Sequence, residues 1–282
     1  MPLMPLRSLA LPEPAAGAYQ AWLDELDARL GAPGADWNLA CRETLFRLWY
    51  PSETDWDALA TDPAVPLAAR ASLLALDPRH VTLEPEYYFD VDPEKFARVK
   101  PLLWLWYSFD RTPLGGQHVD LGVRFRRLLA PRIFRSCGER FKCFQHVEFS
   151  YGYNLDVGDG VVVHRHVLLD DRGGLQLGHR VSIADYANIY SHTHSIVDQA
   201  DVTLARTVLD DDVRITYHAT VLAGVHVGEN GMVGAGALAT KDVRPYHLNV
   251  GIPAKSIRVK PNAPAGAQRT VRLGADGEPG DR

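Results

Sequence analysis

The sequence predicts a mainly β protein: a parallel β-helix of six-residue repeats, preceded by a helical N-terminal region. Aliphatic residues recur every six positions at Leu209, Ile215, Val221, Val227, Val233 and Ala239. The same spacing gives Val157, Val163 and Leu169 upstream and, after a two-residue insertion near Arg172 and Gly174, Leu177, Ile183 and Ile189. Four positions beyond these aliphatics stand small or β-branched residues, among them Val161, Val167, Val181, Ala187, Val213, Ala219, Val225, Gly231, Ala237 and Val243. A period of six fits neither a helix nor an alternating strand. It fits short flat strands joined by tight corners, where Gly158, Gly178, Gly228 and Gly234 fall. A sandwich of short strands would show looser spacing of about 8–12 residues.

The chain has 282 residues, 46% hydrophobic and 23% charged, enough to bury one large domain beside a smaller one. Its net charge of -5 comes without a long basic block, so nucleic acid is not an expected partner. Pro2, Pro5, Pro12, Pro14 and Glu13 interrupt the first residues, so no signal peptide is read there. No apolar run approaches the roughly 20 residues of a membrane span. Cys41, Cys137 and Cys143 form neither an even disulfide set nor a C-x-x-C pair. The expected setting is reducing and cytoplasmic.

Residues 1–140 read as mostly helical. Tyr19, Trp22, Leu23, Leu26 and Leu30 share a face that ends at Gly31, and Trp37, Cys41, Leu45, Leu48 and Trp49 form a second that ends at Pro51. Ser52 with Asp55 reads as a capping-box pair opening a third helix, and residues 67–76 form a fourth. Asp92 followed by Pro93 opens a fifth, which carries Trp104, Trp106 and Tyr107 as core or subunit contacts. A sixth covers residues 121–137, where Arg124, Arg126, Arg127, Arg132 and Arg135 read as a solvated face, with an anionic membrane surface as the other reading. Residues 141–260 hold the β-helix, and residues 261–282 are expected to be a loose tail.

Val227-Gly228, Val233-Gly234, Val157-Gly158, Leu177-Gly178 and Ile183-Ala184 resemble the hexapeptide-repeat transferases, whose coils wind as a left-handed β-helix. Within that family, residues 149–258 are similar to the maltose and galactoside O-acetyltransferases. The segments that match are Phe149-Ser150-Tyr151-Gly152-Tyr153-Asn154, Ile189-Tyr190-Ser191-His192-Thr193-His194, Val233-Gly234-Ala235-Gly236-Ala237, Thr240-Lys241-Asp242 and Gly251-Ile252-Pro253-Ala254-Lys255. The resemblance implies acetyl-CoA as co-substrate, no metal, and a homotrimer with sites between subunits.

It also implies that His194 takes the proton of an acceptor hydroxyl, which attacks the thioester directly. Imidazole suits this role because a group with an ordinary pKa of about 6.5 is largely neutral near pH 7. The period then fails until Leu209, so a loop is expected to leave the β-helix there, carrying Asp198, Asp201 and Arg206. Asn154, His164, His166, Asp171 and His192 are the candidate acceptor contacts, with His164, His166, Asp170 and Asp171 expected to face outward. Histidines where the sugar-modifying enzymes carry asparagines depart from the family pattern. Tyr217, Ala235, Gly236, Thr240, Lys241, Lys255 and Arg258 are the candidate coenzyme contacts: small residues for close approach, cations for phosphates. Arg214 and Tyr217 replace the family's Trp and small residue, which leaves an altered groove.

Two other readings stay open. One is a zinc enzyme of the γ-carbonic anhydrase kind, since His164, His166, His192, His194, His218 and His226 are available, although that family's ligand spacing is not seen. The other is a non-catalytic β-helix used for assembly.

Overall fold

The computed structural model describes residues 10–50 and 54–265. The β-helix is a three-sided stack of parallel strands. Its first face holds Ser136–Cys137, Leu155–Val157, Leu175–Leu177, Thr207–Leu209 and His226–Val227. The second holds Lys142–Cys143, Val162–Val163, Ser182–Ile183, Arg214–Ile215, Met232–Val233 and His247–Val250, ending in the antiparallel strand Lys255–Val259. The third holds Glu148–Phe149, Leu168–Leu169, Asn188–Ile189, Thr220–Val221 and Leu238–Ala239. All twelve periodic aliphatics lie on these strands, none more than 4% exposed. Each coil rests on the next through backbone bonds such as Val162 N–H to Val181 O at 2.9 Å and Ser182 N–H to Val213 O at 2.9 Å.

Corner A joins the first face to the second, corner B the second to the third, and corner C the third to the first of the following coil. At corner A a Cβ on Gly158 would stand 2.7 Å from the Gly178 carbonyl carbon, and one on Gly178 2.7 Å from that of Asp210. At these two positions a side chain's first carbon would strike the backbone of the next coil.

The stack begins a full coil earlier than the aliphatic period suggests. Cys137, Cys143 and Phe149 occupy the inward positions of the first coil, with Phe141 and Val147 four residues after the two cysteines. Two cysteines and an aromatic hid that repeat.

The helices are α1 (Ala15–Gly31), α2 (Trp37–Trp49), α3 (Trp56–Thr61), α4 (Leu67–Leu74), α5 (Pro93–Phe109) and α6 (Val119–Ile133). Asp36, Asp55 and Asp92 cap α2, α3 and α5 through their carboxylates, as expected for N-caps. Asp55 is itself the cap of α3; the expected partner Ser52 lies outside the described residues. α6 ends at Ile133, short of the predicted position 137, because the first strand follows at once.

The aromatics of α5 dock on the first coil. The indole of Trp106 donates to Val147 O at 3.1 Å and the hydroxyl of Tyr107 to Phe149 O at 3.0 Å. Of the arginines expected to form a solvated face, Arg127 and Arg135 are exposed, but Arg126 is buried, and the group also joins layers. Arg126, 2% exposed, pairs with Asp110 and donates to Cys143 O; Arg127 donates to Phe141 O at 2.8 Å; Arg132 and Arg135 pair with Asp27 and Asp156. Guanidinium groups suit this work because their donors reach several acceptors at once. The end of the predicted tail, residues 266–282, lies outside the described residues. No described helix is long and apolar enough to cross a membrane.

Removing one member of the Arg126–Asp110 pair leaves a buried charge without its counterpart. Asp110→Ala is expected to cost about 3 kcal/mol or more, read as a lower urea midpoint; a loss under about 1 kcal/mol would show that the pair does not hold α6 to the stack.

Candidate active site

Corner C stacks functional groups because successive coils bring residues about twenty apart into contact. Asp170, 1% exposed, is its centre. One carboxylate oxygen accepts from Ser150 Oγ at 2.8 Å and the Arg172 N–H at 3.3 Å. The other accepts from the N–H groups of Ser191 and His192 at 2.8 and 3.1 Å and from His192 Nδ1 at 2.6 Å. A carboxylate at Nδ1 fixes the tautomer of His192 and leaves Nε2 as an acceptor.

His194 follows two residues on, exposed at the start of an antiparallel hairpin of His192–His194 with Val202–Leu204. Its Nδ1 lies 2.8 Å from the carbonyl of Gln199. A carbonyl only accepts, so Nδ1 carries the proton and Nε2 presents a lone pair. The two imidazoles meet edge to face, 5.4 Å between centroids. The predicted loop is therefore an ordered excursion that starts two residues before His192 and is closed at its neck. Ala205 N–H donates to Ser191 O at 2.9 Å, and buried Thr207 Oγ bonds Tyr190 O at 2.6 Å and accepts from Gly224 N–H at 2.9 Å. At the tip, Ile196 and Val197 stand fully in solvent.

Asp170 and Asp171 do not face outward as expected. Asp171 is 0% exposed and accepts from Tyr151 N–H at 2.7 Å and Asn154 N–H at 3.0 Å. Burial pushes its carboxyl up to about 6 against the pull of these backbone donors. Asn154 in turn donates to Arg172 O at 3.3 Å. These two residues stitch the first coil to the second at corner C, which leaves Asp171 no surface for an acceptor.

His164 and His166 lie at corner B, across the third face from His194. His164 stacks on Phe144 at 4.9 Å, while His166 sits in a column of rings with His146, Tyr186 and His218 at spacings of 4.8 to 4.9 Å. Tyr217, Ala235 and Gly236 gather at the later end of this corner, where Gly236 N–H donates to Tyr217 O at 2.8 Å and a Cβ on Gly236 would meet nothing within 4 Å. Thr240 and Lys241 are exposed at corner C of the last full coil, and Lys255 and Arg258 are exposed on the final strand. The candidate residues thus fall at corners B and C and on the final strand of one chain.

Sequence reasoning missed Ser150 and Asp170 as the support of His192; their spacing of one coil was the signal. It also missed Arg172, whose guanidinium pairs with Asp90 through contacts of 2.6 and 3.1 Å and lies 4.1 Å above the Tyr88 ring. That pair ties the segment before α5 to corner C.

No family model matches the chain. The galactoside O-acetyltransferase of Escherichia coli (strain K12) is 28% identical over 170 residues, 59% of this chain and 79% of that protein. The structure of a maltose O-acetyltransferase from Clostridium difficile 630 is similar with a TM-score of 0.54 at 24% identity, covering 62% of this chain and 91% of that one. A hexapeptide-repeat acetyltransferase from Vibrio cholerae O1 biovar eltor, solved with acetyl coenzyme A, gives 0.52 at 20% identity, covering 65% and 98%. The relatives and structural neighbours of the chain are galactoside and maltose O-acetyltransferases and hexapeptide-repeat acetyltransferases.

Like those solved structures, its coils form a left-handed parallel β-helix of about six turns, here behind a helical region. Among the described residues, no three His, Cys, Asp or Glu side chains are grouped to hold a metal ion. Corner C of this chain is tied to the helical region by the buried Asp90–Arg172 pair. Burial pushes the Asp90 carboxyl up, but the Arg172 hydrogen bonds outweigh it and hold the group below its ordinary 3.8. A depressed carboxylate contributes stability that is present above its unfolded value and lost as pH falls through the folded one. Arg172→Met should therefore lose about 3 kcal/mol near pH 7 and show a shallower loss of stability on acidification below about pH 4. Urea midpoints that follow the parent protein from pH 7 to 3 would exclude this role.

Proposed function

We propose that this acetyltransferase moves an acetyl group from acetyl-CoA to a hydroxyl of a small, saccharide-like acceptor, with His194 as general base. The observation that carries this reading is the backbone anchor of His194, whose Nδ1–Gln199 contact of 2.8 Å leaves Nε2 as a lone-pair acceptor beside the His192 ring. The acceptor O–H gives its proton to Nε2 while its oxygen attacks the thioester carbonyl. The C–S bond then breaks, and the leaving thiolate takes the proton back from the imidazolium. Products are the acetyl ester and free coenzyme A, with no acyl-enzyme. A positioned base of this kind contributes about 10²–10⁴-fold.

The residues present suit a long, flexible, anionic thioester. Bare backbone at Ala235 and Gly236 allows close approach, Tyr217 is 57% exposed beside it, and Thr240, Lys241, Lys255 and Arg258 are exposed at the end of the stack where phosphates would need donors. His192 sits where it would contact the acceptor, and His164 and His166 belong to the same reading only across a subunit boundary. Corners B and C are separated by the third face within one chain, and Ile196 and Val197 are exposed apolar residues that another copy would cover. A homotrimer with shared sites accounts for both. A reducing, cytoplasmic setting goes with three unpaired cysteines, of which Cys41 and Cys143 are buried.

Acetyl-CoA should raise the melting temperature, since binding to the native state alone stabilises it, and a hydroxyl acceptor should then release free thiol. His194→Ala is expected to lower that release by about 10²-fold or more with the melting temperature preserved. Undiminished turnover would remove His194 as the base.

A further inference from the structure

A cavity of about 290 Å³ lies between the helical region and the outer surface of the third face. Neither His192 nor His194 lines it, so the hydroxyl that His194 would deprotonate is not seated there. Four aromatic side chains do line it: Tyr88, Trp104, Tyr107 and Phe149. Their polar groups are spent elsewhere. Trp104 Nε1 donates to Ala75 O at 3.1 Å, Tyr107 OH to Phe149 O at 3.0 Å, and Tyr88 OH to Glu84. What these rings have left for a ligand is apolar surface and π electrons, which attract a cation. Of the acidic groups, Asp110 is taken by Arg126 and by the His146 N–H at 2.6 Å. Glu84 keeps its second oxygen, and no hydrogen bond or ion pair among the described residues engages the side chain of Glu148 or Arg111. Two carboxylates against one guanidinium leave the cavity negative.

We infer that this cavity is a second ligand site, which takes a small organic ammonium ion and passes its occupancy to His192 through Ser150. Aromatic rings beside carboxylates are the chemistry that holds an alkylated ammonium: the rings attract its charge at close range and the carboxylates from further off. A volume near 290 Å³ is at the lower end of small-molecule pockets; it admits a quaternary nitrogen on a short chain and excludes a nucleotide. Ser150 lines the cavity and gives its one hydroxyl proton to Asp170 at 2.8 Å, so its oxygen keeps lone pairs for a ligand hydroxyl. The other oxygen of Asp170 accepts from the N–H groups of Ser191 and His192 and from the His192 ring at 2.6 Å. A bond made at Ser150 therefore polarises a continuous chain of hydrogen bonds that ends on an imidazole. The site is separate from acetyl transfer and does not depend on His194 being the base.

Choline and its neutral isostere 3,3-dimethylbutan-1-ol, each added to the full chain, separate charge from shape. Choline should bind in calorimetry and raise the melting temperature; the neutral alcohol at the same concentration should do neither. Glu148→Gln, at an exposed position, should weaken choline by about 5-fold. Arg111→Gln should tighten it, a change of opposite sign that general damage to the fold cannot produce. In proton NMR the ring signals of His192 should shift as choline is added to the parent protein. They should stay in place in Ser150→Ala, which still binds choline through rings and charge, and shift again in Ser150→Thr, which keeps the hydroxyl. No binding of choline, equal binding of the neutral alcohol, or an affinity indifferent to both charge substitutions would each overturn the inference. So would His192 signals that ignore choline in the parent or follow it in Ser150→Ala, and so would complete loss of choline binding in Ser150→Ala. Failure of acetyl-CoA to raise the melting temperature bears on the acetyl-transfer reading alone.

Discussion

Every feature of this molecule depends on coils that stack one strand spacing apart, about 4.8 Å, with like positions above like. The inward aliphatics satisfy this by repeating every six residues, and the corner glycines satisfy it by having no Cβ to strike the coil above. At corner B the same spacing sets rings face to face, which is why His146, His166, Tyr186 and His218 form a column at 4.8 to 4.9 Å. Each column residue turns the corner with positive φ, between 56° and 62°, a conformation that the stacked neighbours hold in place.

Chemistry enters where the repeat is interrupted. At corner C the second coil has the buried Asp170 and Asp171, and the third expels a hairpin in place of a tight turn. The cost of that interruption is small because Thr207 and Ser191 supply the hydrogen bonds the missing turn would have made. One buried carboxylate then does two jobs, closing the neck of the excursion through backbone N–H groups and fixing the imidazole of His192. Rigidity of the loop base and orientation of the ring are thus the same set of bonds.

The repeat was legible because it is periodic and hydrophobic; the first coil was not, since Cys137, Cys143 and Phe149 are inward without being aliphatic. The start of α5 followed from its cap Asp92, and α6 ended early because a strand, invisible to helical periodicity, begins at Ser136. His194 and the bare backbone at Gly236 stand exposed, as their positions in the repeat implied. Asp170 and Asp171 were placed on the wrong side, because a short polar pair after an inward leucine is read as surface unless the backbone donors of the neighbouring coils are counted. Buried Arg126 was misjudged for the same reason: its partners are a carbonyl and a carboxylate distant in sequence.

The two ends of the stack differ from its middle. The first strand, Ser136–Cys137, follows directly from α6, which packs against it, and the last parallel strand, His247–Val250, is covered by Lys255–Val259 running the other way. A parallel ladder left open at either end would offer a row of unpaired backbone groups matched in spacing to any other copy of itself, a template for end-to-end growth into filaments. Here one terminus is closed by a helix and the other by a reversed strand bearing lysine and arginine. Among the described residues, neither end of the repeat is thus left as an open parallel ladder.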